Sequence, residues 1–237
     1  MLNLIAFDAD DTLWDNEIHF ERAKDRFKDL LSPGCAPEWT ERELYETEMR
    51  NLAHFGYGSK GFTLSMIETA LDLTQGAVTG QQIRQILEYG KELLQIPIEP
   101  LSHVESVLAR LAQSHPLMLL TKGDLFDQEA KIARSGLADY FTHIEIVSEK
   151  DQQTYANLLQ RYSIHPGAFC MVGNSLKSDI MPVVALGGHA VHIPYHTTWA
   201  HEKVDIGESQ RRLYHQLDDL APLPNLIETL SAPGVQG

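Results

Sequence analysis

The chain is poor in the features that mark several large classes of protein. Its 237 residues include 2 cysteines, Cys35 and Cys170, which lie far apart without metal-ligand spacing. A disulfide framework and a zinc site are therefore not expected. No apolar run is long enough to span a bilayer, and the apolar start of the chain lacks the basic residues of a signal peptide. These features predict a cytoplasmic protein with no membrane partner.

Positive charge is also scarce. Lys and Arg number 19 against 33 Asp and Glu, which gives a formal net charge of -14. Proteins that bind nucleic acid need clustered Lys and Arg to displace counterions from phosphates, so nucleic acid is not an expected partner. The acidic composition disfavours self-association only weakly, and both a monomer and a homodimer stay open.

Hydrophobic periodicity divides the chain into two regions. From about residue 17 to residue 95, apolar residues recur at helical spacing, which predicts about four helices. After Pro100, short apolar strands alternate with helices, which indicates right-handed crossovers and a parallel sheet. We therefore predict an α/β fold with a Rossmann-like core of residues 1–15 and 98–237, helices on both faces of its sheet, and an inserted all-helical domain of residues 16–97.

Polar side chains follow four of the predicted strands. They are Asp8 and Asp10, then Thr121 and Lys122, then Lys150, and finally Asn174 and Asp179. The carboxyl ends of parallel strands lie on one edge of a sheet, where open α/β folds bind ligands. We therefore expect these acids, a hydroxyl, an ammonium and an amide to converge in one site.

This pattern resembles the four motifs of the haloacid dehalogenase-like superfamily of aspartate-nucleophile hydrolases. The matching residues are Asp8-Ala9-Asp10-Asp11-Thr12, Thr121, Lys150, and Gly173-Asn174-Ser175 followed by Asp179. The helical insertion lies where members with a helical (C1-type) cap carry it. The resemblance implies a hydrolase with a cap domain over residues 16–97.

The resemblance implies a role for each acid. Asp8 would be the nucleophile that forms an aspartyl-phosphate, and Asp10 would protonate the leaving oxygen and then activate water. A phosphate ester repels an anionic nucleophile, so the reaction calls for a divalent cation. Mg²⁺ would be held by Asp8, the backbone carbonyl of Asp10, and Asp179, with Asn174 orienting a bound water.

Other matched residues would bind the phosphoryl group. Thr121 would donate its hydroxyl to it, and Lys150 would neutralise Asp8 together with a phosphate oxygen. Lys122 and Gly123 are expected to line the substrate site, and Thr12 is expected to shape the loop or bond to Asp8.

Simpler interpretations exist for several of these residues taken alone. Thr121 is also suited to cap a helix starting near Asp124. Taken alone, Lys150 is equally well interpreted as a solvated charge. Asp179 is equally well interpreted as an acid in the first turn of a helix.

Two residues depart from the commonest form of the family. Asn174 stands where many members have an acid, and it offers a metal only a neutral oxygen. Asp11 stands where glycine is frequent, and we interpret it as a solvent-facing acid in a turn.

The helical domain is expected to select the substrate. In the glycine-rich segment of residues 55–62, Tyr57 and Lys60 are suited to meet an aromatic or anionic leaving group. A plain turn between helices is the alternative. Four histidines between His189 and His201 fit no closed zinc site, and we expect a loop beside the cleft or a packing surface that uses Trp199.

The sequence therefore favours a magnesium-dependent phosphatase of a small phosphorylated metabolite. Dehalogenation of a 2-haloacid is disfavoured, because a halide leaves without the proton that Asp10 would supply. A phosphomutase, a phosphonate hydrolase and a catalytically silent binding module stay open as alternatives.

Overall fold

One parallel sheet forms the centre of the fold. The computed structural model describes residues 1–204 and 207–232. Within them the strands run in the order β3-β2-β1-β4-β5-β6. The strands are β1 Leu4–Phe7, β2 Leu117–Lys122, β3 His143–Val147, β4 Phe169–Gly173, β5 His189–His192 and β6 His215–Gln216. All pairs are parallel. The α/β fold class with a Rossmann-like parallel sheet is thus confirmed.

Helices account for most of the remaining described chain. They are α1 Glu17–Leu31, α2 Pro37–Phe55, α3 Ser59–Leu73, α4 Gly80–Gln95, α5 Val104–Leu111, α6 Leu125–Ser135, α7 Gln152–Arg161, α8 Met181–Ala185, α9 Glu208–Arg211 and α10 Leu223–Ser231. The four helices α1 to α4 between residues 17 and 95 confirm the prediction of a helical insertion. In the described part of the chain, no helix combines the length and the apolar character needed to cross a membrane.

Strand β1 is buried on both faces, which explains its unbroken apolar sequence. Leu4 and Ala6 belong to one hydrophobic cluster, and Ile5 and Phe7 belong to the cluster on the opposite face. Phe7 is in register with a residue of β2 on one side and of β4 on the other. The chain that follows Phe7 therefore emerges where the ends of three strands meet.

The chain divides into two compact units. One consists of Met1–Glu17, Ile98–Lys122 and Lys131–Gly237, and contains the sheet. The other consists of Ile18–Pro97 and Gly123–Ala130. Its core is formed by apolar side chains from its helices, among them Phe27, Leu44, Met66 and Ile86.

Close packing of α3 against α4 requires a glycine. A Cβ atom at Gly90 would lie 2.0 Å from the hydroxyl oxygen of Thr63. The backbone of α4 therefore approaches α3 more closely than any residue with a side chain would permit.

Candidate active site

Asp8 is the first residue after β1, and both of its carboxylate oxygens are engaged. Its Oδ1 accepts a hydrogen bond from Lys150 Nζ at 2.5 Å, and its Oδ2 accepts one from Thr12 Oγ1 at 3.1 Å. Its backbone N–H donates to the carbonyl of Val172 in β4 at 2.9 Å. The orientation of this buried carboxylate is therefore fixed by three separate segments of the chain.

Lys150 forms ion pairs with two acids, Asp8 and Asp179. Its Nζ lies 2.8 Å from Asp179 Oδ1 as well as 2.5 Å from Asp8, and its side chain is only 1% exposed. The interpretation of Lys150 as a solvated charge is therefore wrong. Burial alone would lower the pKa of this ammonium, but Asp179 and Asp8 together raise it above its ordinary value. Lys150 is held in the charged form.

One lysine leaves the acid pair incompletely neutralised. Burial raises the pKa of the Asp8 carboxyl to about 7, and the carboxylate of Asp179 adds to this effect, whereas Lys150 opposes it. When Asp8 is ionised, the two buried carboxylates and the one ammonium carry one net negative charge. The site therefore favours an additional cation.

Asp179 is brought to the strand end by an unusual turn. It lies in a turn of π-helix, Leu176–Ile180, and its Oδ2 accepts from the backbone N–H of Ser175 at 2.9 Å. A Cβ atom at Gly173 would lie 2.3 Å from that same Oδ2. Only glycine can end β4 while the carboxylate lies against it, which explains the glycine of this motif.

Thr12 and Asn174 lie beside Asp8. Thr12 Oγ1 is 3.1 Å from Asp8 Oδ2 and 3.3 Å from Asn174 Oδ1, so its single proton can be donated to either oxygen. The side-chain oxygen of Asn174 therefore belongs to the same cluster as the two acids.

The donor atoms of this cluster suit Mg²⁺. No group of three or more Asp, Glu, His or Cys side chains placed to hold a metal is found in the ranges that the structure describes. Asp8 and Asp179 supply two carboxylates, so further ligands must be neutral carbonyls and water. Mg²⁺ prefers hard oxygen ligands and keeps several waters, which fits this set.

Asp10, the second acid after β1, is bound by donors from two directions. Its Oδ1 accepts from Trp14 Nε1 at 2.7 Å, and Lys131 Nζ lies 3.1 and 3.0 Å from its two oxygens. Nothing in the sequence singled out Lys131, which lies on α6 far from every motif. Only the folded chain brings it to Asp10.

Asp11 does not face solvent, and the sequence interpretation of this residue is wrong. It is buried, has a left-handed φ of 63°, and accepts from the backbone N–H groups of Asn16 at 2.7 Å and Glu17 at 3.0 Å. Burial, with a further contribution from Asp10, raises the pKa of its carboxyl to about 8. Asp11 therefore has a structural role, since it binds the free N–H groups where α1 begins.

Thr121 is buried at the carboxyl end of β2. It does not cap α6, because Asp124 Oδ1 accepts from the backbone N–H of Asp127 at 3.0 Å. The simpler interpretation of Thr121 as a helix cap is therefore wrong. Gly123, two residues later, has a φ of 152°, which favours glycine.

Lys122 is engaged by a carboxylate that the sequence analysis missed. Its Nζ lies 2.5 Å from Glu202 Oε1 and 3.0 Å from Ser178 Oγ. Glu202 Oε2 also accepts from Ser175 Oγ at 2.5 Å and Ser178 Oγ at 2.6 Å. Glu202 is an ordinary loop residue by sequence, and no local pattern could have identified it.

The histidine-rich segment after β5 forms hydrogen bonds beside this site. His192 Nε2 lies 3.0 Å from the backbone oxygen of Asn174, and burial lowers the pKa of its imidazole. His201 Nε2 lies 3.0 Å from Lys177 Nζ. Tyr195 donates to Asp15 Oδ1 at 2.5 Å. These contacts connect the segment to the loop that follows β1 and to the turn that follows β4.

The two residues predicted to contact a leaving group lie in the helical unit. Lys60 is exposed, and its Nζ donates to Asp124 Oδ1 at 2.8 Å. The same ammonium lies 5.1 Å from the ring centroid of Phe126. Tyr57 is half-buried. Lys60 is thus engaged within its own unit, and a role in substrate binding stays a prediction.

The sequence and the fold are both similar to those of known hydrolases. A family model described as haloacid dehalogenase-like hydrolase matches residues 2–187. The crystal structure of a haloacid dehalogenase-like family hydrolase from Xanthomonas campestris is 40% identical, with a TM-score of 0.86, and the match covers 97% of this chain and 91% of that chain. These two findings confirm the resemblance inferred from the motifs.

More distant structures share the fold alone. A 2-haloacid dehalogenase from Pseudomonas syringae is 22% identical, with a TM-score of 0.64 and coverage of 98% and 100%. The putative HAD-hydrolase YfnB from Bacillus subtilis, bound to magnesium, is 16% identical, with a TM-score of 0.63 and coverage of 96% and 99%. No curated protein matches the chain.

Proposed function

Because the chain belongs to the haloacid dehalogenase-like hydrolases, we propose that it is a magnesium-dependent phosphatase of a small phosphorylated metabolite. The observation that carries the proposal is the second acid, Asp10, two residues after the candidate nucleophile Asp8. An alkoxide is a poor leaving group and needs a proton, whereas a halide needs none. The chain retains the group that ester hydrolysis requires.

In the proposed first step, Asp8 attacks the phosphorus atom of the ester. The new bond joins a carboxylate oxygen of Asp8 to phosphorus, and the bond from phosphorus to the ester oxygen breaks. Asp10 gives its proton to the departing oxygen, which leaves as an alcohol. The products of this step are an aspartyl-phosphate on Asp8 and an ionised Asp10.

In the second step, water replaces Asp8 on phosphorus. Asp10 takes a proton from the attacking water, which returns Asp10 to its acid form. Inorganic phosphate leaves and the Asp8 carboxylate is restored. Lys150 Nζ lies 2.5 Å from Asp8 Oδ1, so it is placed to neutralise charge as the phosphoryl group arrives.

Asp8, Asp179, the backbone carbonyl of Asp10 and Asn174 are the residues that would hold Mg²⁺. A bound divalent cation supplies positive charge next to the phosphoryl oxygens, which reduces their repulsion of the nucleophile. Lys122 and Gly123, next to Thr121, would line the phosphate site. Thr121 itself would donate a hydrogen bond from its hydroxyl to the phosphoryl group.

The cytoplasmic location stays a prediction of the sequence.

The proposal is tested by hydrolysis of p-nitrophenyl phosphate with Mg²⁺ and with a chelator. We expect activity that requires Mg²⁺ and falls by at least about 10³-fold in Asp8→Asn, because the variant lacks the nucleophile. Asp218→Asn, at an exposed acid, is the matched control and should keep full activity. Halide release from 2-chloropropionate without ester hydrolysis would instead identify a dehalogenase. Full ester hydrolysis by Asp8→Asn would refute the assigned nucleophile.

A screen of phosphorylated metabolites would then define the substrate. Release of inorganic phosphate indicates a phosphatase. Conversion of one phosphate ester into an isomer without release of phosphate indicates a mutase. Phosphate release from a carbon–phosphorus bond indicates a phosphonate hydrolase.

A further inference from the structure

Lys131 is a buried cation that none of the family motifs contains. We propose that Lys131 is a positioning residue that fixes the orientation of the Asp10 carboxylate and thereby directs its proton to the leaving oxygen. This inference rests on the proposed function, since it assigns a partner to the acid of that reaction.

The contacts of Lys131 account for the whole of its hydrogen-bonding capacity. Its side chain is 7% exposed. Its Nζ lies 3.1 Å from Asp10 Oδ1, 3.0 Å from Asp10 Oδ2 and 2.8 Å from Asn16 Oδ1. An ammonium has three protons to donate, and these three oxygens take them. Lys131 is therefore directed at Asp10 rather than held ready for another ligand.

Trp14 completes the support of Asp10 from another direction. Its indole is fully buried, and Nε1 donates to Asp10 Oδ1 at 2.7 Å. The backbone carbonyl of Trp14 accepts from the N–H of Asp11 at 2.7 Å, so the turn that carries both residues is closed on itself. One donor to Asp10, Trp14, therefore lies in the same loop as Asp10, and the other donor, Lys131, lies on α6.

The two donors together determine the plane of the carboxylate. In ionised Asp10, Trp14 binds one oxygen and Lys131 binds both, so rotation of the carboxylate about its Cβ–Cγ bond would break at least one of these contacts. The Lys131 ammonium favours this ionised form, which is the form that Asp10 reaches as it releases its proton to the leaving oxygen. General acid catalysis depends on delivery of a proton along a defined line, and a small misplacement is costly. Loss of Lys131 should therefore impair the steps in which Asp10 transfers a proton.

The dependence on leaving group distinguishes this role from a structural one. p-Nitrophenolate leaves readily without a proton, whereas the alkoxide of glycerol 1-phosphate does not. A residue that positions the acid affects the alkyl ester more than the aryl ester. A residue that merely supports the fold, or that binds phosphate, affects both esters equally.

The experiment compares kcat and KM of the wild type and Lys131→Met on p-nitrophenyl phosphate and glycerol 1-phosphate. Methionine keeps the length of the side chain and removes its donors. We expect kcat to fall by about 10- to 100-fold for the alkyl ester and by less than about threefold for the aryl ester, with KM unchanged. Lys91→Met, at an exposed lysine on α4 that pairs with Glu88, is the matched control and should change neither.

A double variant checks that Lys131 acts through Asp10. If it does, Lys131→Met should add no further loss to Asp10→Asn with the alkyl ester. Trp14→Phe removes the other donor and should show the same preference for the aryl ester, which provides a test if Lys131→Met does not fold.

Two results would overturn the inference. Equal losses on both esters would show a structural role, and a raised KM with weaker inhibition by inorganic phosphate would show that Lys131 contacts the substrate. Either result leaves the wild type active and the proposed function intact. A wild type that hydrolyses neither these esters nor any metabolite of the screen would instead refute the proposed function itself.

Discussion

Replacement of Glu202 by glutamine should destabilise the protein in a way that depends on pH. The Glu202 side chain is 11% exposed and accepts hydrogen bonds from Lys122 and from two serine hydroxyls. Burial would raise the pKa of its carboxyl, but Lys122 and the serines outweigh burial and lower it from 4.5 to about 2. A lowered pKa contributes stability above the pKa of the unfolded state, and this stability is lost as the pH falls through the folded-state value.

The size of the effect follows from the two pKa values. The difference between 4.5 and about 2, at about 1.4 kcal/mol for each pH unit, gives about 3 kcal/mol of stability at pH 7. At pH 3.5, which lies between the two values, about nine-tenths of the unfolded chains carry a proton on Glu202, whereas the folded state is almost wholly ionised. The contribution of the Glu202 charge then falls to about 2 kcal/mol.

Urea unfolding at pH 7 and at pH 3.5, followed by tryptophan fluorescence, measures this difference. The free energy of unfolding of the wild type should exceed that of Glu202→Gln by about 1 kcal/mol more at pH 7 than at pH 3.5. Glu228→Gln is the control, because Glu228 pairs with Arg110 at 2.7 Å but is 67% exposed. The control should lose less than about 1 kcal/mol. A Glu202→Gln difference that is the same at both pH values would refute the reasoning.

Three further substitutions test other parts of the structure. Gly173→Ala places a methyl group against the Asp179 carboxylate. It should cost about 1–3 kcal/mol in urea unfolding and lower phosphatase activity, and unchanged values would contradict the close approach. Asn174→Asp adds a carboxylate beside Asp8, so the Mg²⁺ concentration for half-maximal activity should fall several-fold; an unchanged requirement would argue against a metal role for position 174. Thr79→Ala removes the N-cap of α4, whose hydroxyl accepts from the backbone of Gln82 at 3.2 Å. It should lower the free energy of unfolding by about 1 kcal/mol, and a neutral result would show that the cap contributes nothing.

The parts of the fold that could be predicted are those encoded by local patterns. Strands β1, β2 and β4 contain continuous apolar runs followed by polar residues, β3 and β5 contain shorter apolar stretches next to polar residues, and the helices of residues 17–95 have clear periodicity. Strand β6, His215–Gln216, was not predicted, because a pair of exposed polar residues carries no hydrophobic signal. It joins the sheet by parallel pairing with β5, a long-range contact that its own residues do not announce.

The same distinction applies to the site. Asp8, Lys150 and Asp179 could be placed together because each follows a strand, and parallel strands end on one edge. Lys131 and Glu202 could not be found, since one lies within α6 and the other at the end of a 3-10 turn, Ala200–Glu202, and neither position has a local signature. Both were revealed only by the tertiary contacts of their charged groups.

The interpretation of Asp11 failed for a different reason. A run of acids after a strand is normally interpreted as exposed to solvent. The sequence does not show that Asp11 adopts a left-handed backbone conformation. That conformation directs the carboxylate at the start of α1. The backbone N–H groups of Asn16 and Glu17 supply the hydrogen bonds that partly offset the cost of burying this acid.

The ion pair of Lys150 with Asp8 joins residues 142 apart in the chain, and this separation has a consequence for biosynthesis. Strand β1 leaves the ribosome before its sheet neighbours β2 and β4, which follow only after the whole helical insertion has been made. Until then the nascent chain carries an apolar strand with two open edges, which is prone to aggregate. Shielding of β1 during synthesis is therefore expected to limit aggregation of the nascent chain.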